Sequence, residues 1–267
     1  MEIKSYITQA ELLLRNYILA DSSALYTSVI GSICACKMVY DLSQVISALY
    51  FKSYSRLSKS QKIEWNNRAI STFHAIFITT MSLFFVFWSD LYSDDRFATA
   101  ITLRHSVLST FALGVSLGYF LTDLGMILWF YPSLGGLEFV VHHLLSMVSL
   151  IYATLTGEGH IYTYMVLIYE ATTPAVNLRW YLDTAGMKKS RPYLINGIVM
   201  FFSWLVAKIL LFMYLFYHIW AHYDQVKQMQ TLGLCLVLVV PSVIAILNLV
   251  WFWKIFMELK KTLAKRH

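Results

Sequence analysis

The stretch "LEFVVHHLLSMVSLIYATLT", residues 137–156, is apolar for almost its whole length and contains two adjacent histidines, His142 and His143. A predominantly apolar segment of about 20 residues, with a rise of 1.5 Å per residue, can cross a hydrocarbon layer of about 30 Å as a helix. Ionisable side chains are rare in such helices and usually face the interior of the bundle or a wet cavity. The stretch therefore predicts a transmembrane helix with a polar site on one face.

Composition extends this prediction to the whole chain of 267 residues. Hydrophobic residues make up 58% and charged residues only 13%, against roughly 25% charged residues in soluble domains. The loops between apolar segments are too short for a soluble catalytic domain. We predict an all-α, polytopic membrane protein of about seven transmembrane helices, at residues 24–51, 69–91, 107–130, 139–156, 161–182, 194–220 and 231–253.

The distribution of Lys and Arg outside these segments predicts the orientation. Thirteen fall on the side of the 52–68 loop, the 183–193 loop and the carboxyl-terminal tail, and five fall on the other side. Cytoplasmic loops carry the excess of positive charge, so the amino terminus is predicted to be lumenal and the carboxyl terminus cytosolic. The net charge of +6 is thereby explained as a topology signal, and no nucleic-acid partner is expected.

Three further patterns in the sequence give little information about function. Apolar residues recur at helical spacing within residues 3–17, which predicts an amphipathic helix on the membrane surface. The three cysteines all fall in apolar segments, so neither a disulfide framework nor a zinc site is indicated. His218 and His222 have the i, i+4 spacing of metal ligands, but no third ligand accompanies them, so we interpret them as an interfacial pair and expect no metal.

Polar residues recur at similar depth in five consecutive predicted helices, near the predicted cytosolic face. Adjacent helical residues diverge by about 100°, so one of the two histidines can act while the other anchors, or both can be structural hydrogen-bonding groups. Pro174 predicts either a cavity-lining break or a simple kink, Lys208 is a candidate partner for Glu170, and Lys37 and Asp41 are expected to pair locally. The residues predicted to line one lipid-sized cavity are His74, Asp123, His142, His143, Glu170, Asn177 and Asn196.

Several motifs resemble those of TLC-domain proteins, the family shared by ceramide synthases and translocating-chain-associated membrane proteins. They are "KIEWNNRAISTFHA" at 62–75, "GYFLTDLGMIL" at 118–128, "VHHLLSM" at 141–147, "YEATTPAVNLRWYL" at 169–182 and "INGIVM" at 195–200. The combination is most similar to the branch called TLC domain-containing protein four.

The resemblance implies an endoplasmic-reticulum-type membrane protein in which six helices enclose a lipid-sized cavity and one further helix lies at the amino end. The expected organisation is an amino-terminal segment, first helix and basic loop at 1–60, a TLC domain at 61–257 and a basic cytosolic tail at 258–267. In ceramide synthases the paired histidines carry acyl transfer from a fatty acyl-CoA, which maps onto His142 and His143. Those enzymes have a His-Asp pair on the next helix, where this chain has Tyr169 and Glu170, so ceramide synthesis is not expected.

Two hypotheses of function follow, and the first ranks higher. The protein either binds, senses or moves a membrane lipid, with no resident cofactor, or it is a lipid N- or O-acyltransferase with fatty acyl-CoA as co-substrate. In the second case His142 or His143 would act as the base and Asp123 would hold the imidazole tautomer, since imidazole titrates near neutral pH. An acyl-CoA or lipid headgroup would meet the basic residues Arg179, Lys188 and Lys189. A seven-helix receptor ranks low, because the last helix has no lysine for a retinal linkage; homo-oligomerisation stays open.

Overall fold

The computed structural model describes residues 23–93 and 99–264, which fold almost entirely into helices. The amphipathic helix predicted for residues 3–17 lies outside the described residues. In order, the α-helices are α1 (Ser23–Tyr50), α2 (Lys52–Ser55), α3 (Lys59–Leu83), α4 (Val107–Trp129), α5 (Leu137–Thr156), α6 (His160–Leu167), α7 (Thr173–Thr184), α8 (Arg191–Trp204), α9 (Leu211–Ala221), α10 (Tyr223–Val226) and α11 (Thr231–Ala264).

Within the described residues, six continuous helical segments are long and apolar enough to cross a membrane. They lie at 24–50, 59–88, 107–129, 137–156, 191–221 and 231–261, and each corresponds to one of the seven predicted helices. The all-α class and the transmembrane character are therefore confirmed.

The remaining predicted span, residues 161–182, is a broken helix. α6 ends at Leu167, residues Ile168–Thr172 form a 3-10 turn, and α7 then begins with Pro174 in its first turn. Proline is tolerated there because the first helical N–H groups have no intrahelical acceptor. Non-regular backbone at membrane depth is stable only where protein or a cavity surrounds it, and the 3-10 turn is buried at Tyr169, Glu170 and Thr172.

Two helix boundaries differ from the hydropathy prediction. The second span begins at Lys59 and not at residue 69, because Ser58 and Gln61 form a capping box: the Gln61 N–H donates to the Ser58 Oγ over 3.3 Å and the Ser58 N–H donates to the Gln61 Oε1 over 3.0 Å. A cap of this kind starts a helix irrespective of hydropathy. The last helix continues to Ala264, past the predicted end at 253, since Lys and Glu are good helix formers outside the apolar layer.

The α1 helix packs closely against α4 through small residues. A Cβ added at Gly118 would lie 2.5 Å from the Val29 carbonyl oxygen and 2.7 Å from the Ser32 Cβ. The Ser32 hydroxyl donates to the Val115 carbonyl over 2.6 Å. Small residues allow transmembrane helices to approach at backbone distance and to form such interhelical hydrogen bonds. The pairing predicted for Lys37 and Asp41 is also confirmed, at 2.6 Å between Nζ and Oδ1.

Candidate functional site

One cavity of about 590 Å³ opens inside the bundle, on the side predicted to be cytosolic. Its walls come from α3, α4, α5, the 3-10 turn with α7, α8 and α11, whereas α1 contributes no lining residue in the described part of the chain. The volume lies in the range of small-molecule pockets, about 300–1,000 Å³. Helix α1 therefore braces the bundle from outside, and the other spanning helices form the site.

His143 joins α5 to α4 through a buried pair with Asp123. Its Nε2 lies 2.6 Å from the Asp123 Oδ2 and its Nδ1 lies 2.9 Å from the Phe139 carbonyl oxygen. The other carboxylate oxygen of Asp123 accepts from the Asn67 amide over 2.7 Å. Both ring nitrogens of His143 therefore have protein partners, one on α5 and one on α4. His143 is an anchor between these two helices and has no nitrogen left for a ligand.

His142 has different surroundings. Its Nε2 lies 2.9 Å from the Tyr169 hydroxyl on the 3-10 turn, and its Nδ1 is buried with no hydrogen-bond partner among the described residues. The two histidine rings are 5.4 Å apart and nearly perpendicular, at 86°. Of the two imidazoles, His142 is the one that has a ring nitrogen without a protein partner among the described residues, and it lines the cavity.

The broken helix presents Glu170 and Asn177 to the same cavity. The Thr173 hydroxyl donates to the Glu170 carboxylate over 2.6 Å. Asn177 accepts from the Arg68 guanidinium over 2.9 Å and donates to the Ser71 hydroxyl over 2.8 Å. The hydrogen bonds of Asn177 join α7 to α3, and they therefore hold the adjoining 3-10 turn beside α3.

Charged side chains of both signs surround the mouth. Arg179 lies over the Tyr193 ring at 3.9 Å, and Lys188 pairs with Asp183 at 2.9 Å. Hydrogen bonding to Asp183 also raises the pKa of the exposed Lys188. Lys254 from α11 lines the same region. The mouth is thus polar and wet, in contrast to the aromatic interior.

Three residues of the predicted site do not line the cavity. His74 points between α3 and α4, where it contacts the Ser116 hydroxyl at 3.1 Å and stacks on the Tyr119 ring at 3.8 Å. Asn196 donates to the Ala175 carbonyl over 2.9 Å and so connects α8 to α7. Lys189 lies in the connecting segment beside Lys188 but outside the lining. Depth along a helix is readable from sequence, but the direction in which the side chain points depends on helix rotation.

Several lining residues were missed by the sequence argument. Lys208, Trp204 and Trp251 form the inner end of the cavity together with Tyr169. A π-helical turn at Leu205–Leu210 positions Lys208 there, and its expected partner Glu170 forms no ion pair with it in the described structure. Trp251 and Lys254 lie on one face of α11 at i, i+3 spacing, a pattern that could have identified that wall.

No metal-binding cluster of three or more His, Cys, Asp or Glu residues occurs in the described ranges. The His218 and His222 rings stack at 4.1 Å and are separate from the cavity lining. The chemistry that the described side chains offer is therefore that of an imidazole, a tyrosine hydroxyl, carboxylates and a lysine ammonium facing one enclosed space.

Comparison with known proteins agrees with this architecture. The family model for the TLC domain matches residues 64–257. TLC domain-containing protein 4-B of Xenopus laevis is 29% identical over 220 residues, which cover 80% of this chain and 80% of that protein. TLC domain-containing protein 4 of Homo sapiens is 25% identical over 173 residues, covering 64% of each chain, and TLC domain-containing protein 4 A of Dictyostelium discoideum is 25% identical over 169 residues, covering 62% of this chain and 64% of the relative.

The family model covers well over half of the chain, from the start of the cavity-lining part of α3 to the last lining turn of α11. The matched region includes the His142/His143 pair, Asp123 and the broken helix. Together with the six long apolar helices, this match shows that the chain is a multi-pass membrane protein of the TLC domain family.

Proposed function

We propose that this protein acts in lipid homeostasis in the endoplasmic reticulum membrane by binding, sensing or moving a lipid in the cavity. The observation that carries the proposal is the cavity itself. It is about 590 Å³, it lies inside a bundle of membrane-spanning helices, and its lining changes from charged at the mouth to aromatic at the inner end.

A lipid is the class of molecule whose own polarity matches that gradient. Arg179, Lys188 and Lys254 at the mouth can contact a polar headgroup or a soluble donor molecule, while Trp204 and Trp251 offer apolar surface. A soluble polar metabolite would leave the aromatic wall without a complementary partner.

Lipids that co-purify with the protein test the proposal. The full chain would be isolated in a mild detergent, and the bound lipids extracted and identified by mass spectrometry. Val176→Trp should fill the cavity and reduce the bound lipid several-fold, because Val176 lines it. Val199→Trp is the matched control, since Val199 is 51% exposed on the outer surface. Equal lipid content in the wild type, Val176→Trp and Val199→Trp proteins would contradict the proposal.

The second candidate function is acyl transfer, favoured by the buried His142 Nδ1, which has no hydrogen-bond partner among the described residues. In such a reaction His142 would take the proton of an amine or hydroxyl nucleophile as it attacks the thioester carbonyl, and the CoA thiolate would leave. The His143–Asp123 pair would hold α5 in place, and Arg179 and Lys188 would contact the CoA phosphates. Transfer of labelled acyl groups from acyl-CoA to membrane lipids, abolished by His142→Ala, would place this candidate first.

The location in the endoplasmic reticulum is tested separately. A fluorescent protein fused to the carboxyl terminus should colocalise with a marker of that membrane. Accumulation in the Golgi or at the plasma membrane would overturn this part of the proposal without affecting lipid binding.

A further inference from the structure

Lys208 is a buried lysine with an unusual environment. Only 7% of the residue is exposed, and its ammonium lies 4.0 Å from the Trp204 ring, 4.9 Å from the Tyr169 ring and 5.8 Å from the Trp251 ring. The ring faces attract the charge, but they accept no conventional hydrogen bonds. Among the described residues the Lys208 Nζ has no hydrogen-bond acceptor and no ion-pair partner, and the side chain lines the cavity.

The nearby carboxylate of Glu170 does not accept a hydrogen bond from the Lys208 ammonium in the described structure. Glu170 lines the same cavity, but its carboxylate accepts from the Thr173 hydroxyl at 2.6 Å, and no ion pair joins it to Lys208. A buried ammonium without an acceptor is costly, which is why buried lysines are normally paired. The π-helical turn at Leu205–Leu210 aims this residue into the cavity, and π-turns of this kind are frequent at functional sites.

The cavity also offers a route to this position. Lys254 lines the cavity closer to the mouth, three residues beyond Trp251 on α11, which is about 4.5 Å along the helix axis. The Lys208 ammonium lies 5.8 Å from the ring of the same tryptophan, and both lysines line the cavity. The cavity therefore connects the two cationic side chains. At the inner position, His142 and Tyr169 supply further polar atoms, because Tyr169 contacts both the Lys208 ammonium and the His142 Nε2.

We propose that Lys208 binds an anionic oxygen of the ligand, so that the cavity selects lipids with a carboxylate or a phosphate over uncharged lipids of the same chain length. This inference rests on the proposed lipid-binding function and specifies the class of lipid. The oxygen would sit between the Lys208 ammonium and the Tyr169 hydroxyl, with the aromatic rings of Trp204 and Trp251 excluding water.

Three probes with the same hydrocarbon chain test the selectivity. Hexadecanoate, hexadecyl phosphate and hexadecanol, each radiolabelled, would be titrated against the full-length protein in nanodiscs of phosphatidylcholine. The wild type should bind one or both anions about 10- to 100-fold more tightly than the alcohol, as charge-assisted hydrogen bonds are worth about 1.5–3 kcal/mol. The two anionic probes distinguish a carboxylate from a phosphate ligand.

Variants then assign the selectivity to one residue. Lys208→Met has a similar volume and no charge, so it should lose the preference for the anion and keep the affinity for hexadecanol. Lys208→Arg should retain much of the preference. Lys261→Met is the matched control, with an expected change of no more than about threefold, because Lys261 is exposed near the end of α11 and is not part of the cavity lining. Helical content equal to that of the wild type, together with retained hexadecanol binding, would show that the Lys208→Met protein is folded.

The outcomes separate this inference from the general proposal. If the wild type binds none of the three probes, lipid binding itself fails. If hexadecanol binds as tightly as both anions, or if Lys208→Met keeps the full preference for the anion, the cavity still binds a lipid but Lys208 does not select its charge, and the inference is overturned.

Discussion

Replacement of Asp123 by alanine tests the buried centre of the site. The change removes the partner of the His143 Nε2 at 2.6 Å and the acceptor of the Asn67 amide at 2.7 Å, and it leaves the buried imidazole without that partner. Breaking a buried ion pair from one side costs about 3–5 kcal/mol. At roughly 2–4 °C per kcal/mol for a protein of this size, we expect the melting temperature to fall by about 6–20 °C.

The assay is thermal unfolding of the full chain in detergent, followed by size-exclusion retention. Asp224→Ala is the matched control, because Asp224 is exposed and pairs with Lys227 at 2.6 Å outside the spans, and its removal should shift the melting temperature very little. The double variant Asp123→Ala/His143→Ala should lose less than the sum of the single changes, with a coupling of about 0.5–3 kcal/mol. Strict additivity, or an Asp123→Ala protein as stable as Asp224→Ala, would refute the buried-pair argument.

Three other predictions concern packing, orientation and chemistry. Gly118→Leu should push α1 off α4 and lower the melting temperature by the equivalent of about 1–3 kcal/mol, whereas Gly125→Leu should not, because nothing lies within 4 Å of its added Cβ; equal melting of the two variants would contradict this. A glycosylation acceptor inserted in the 52–68 loop should stay unmodified, since the chain has no natural Asn-x-Ser/Thr site and the loop is predicted to be cytosolic; a modified reporter would reverse the orientation. Purified protein given acyl-CoA and sphingoid bases should form little or no ceramide, because base and supporting groups act together; robust synthesis lost in His142→Ala or His143→Ala would overturn that expectation.

The all-α class and the membrane character could be predicted from the sequence, because they depend on the hydropathy of consecutive residues and not on contacts between helices. Hydropathy over windows of about 20 residues locates spanning helices whatever their neighbours are, and six such segments occur in the described structure. The depth of a residue in the membrane also follows from its position along a spanning helix. For this reason one layer could be predicted for Asp123, His142, His143 and Glu170, and all four line the cavity. The pairing of Lys37 with Asp41 could be predicted as well, because the two residues are four apart on a single helix.

The pairings between helices could not be read in this way. His74 lies at the same depth as the cavity residues, but α3 is rotated so that its ring stacks on Tyr119. Lys208 was expected to meet Glu170, and instead a π-helical turn places its ammonium against Trp204. A π-helical turn contains one residue more than an α-helical turn, so it rotates all later side chains about the helix axis. Hydropathy does not detect this rotation. The capping box that starts α3 at Lys59 was readable in principle from "SKSQ", but apolar windows overlook polar helix starts.

The adjacent histidines of α5 differ in their hydrogen bonding, because neighbouring positions on a helix face different walls. His143 points to α4, and both of its ring nitrogens have partners, the Phe139 carbonyl and the Asp123 carboxylate. His142 points to the 3-10 turn, and Tyr169 occupies only one of its nitrogens. Tyr169 can reach it because the backbone between Leu167 and Thr173 leaves the α-helical path, and such a break is tolerated only where protein or cavity surrounds it. An apolar segment thus retains two imidazoles with separate surroundings: His143 joins α5 to α4, and His142 joins α5 to the 3-10 turn in the wall of the cavity.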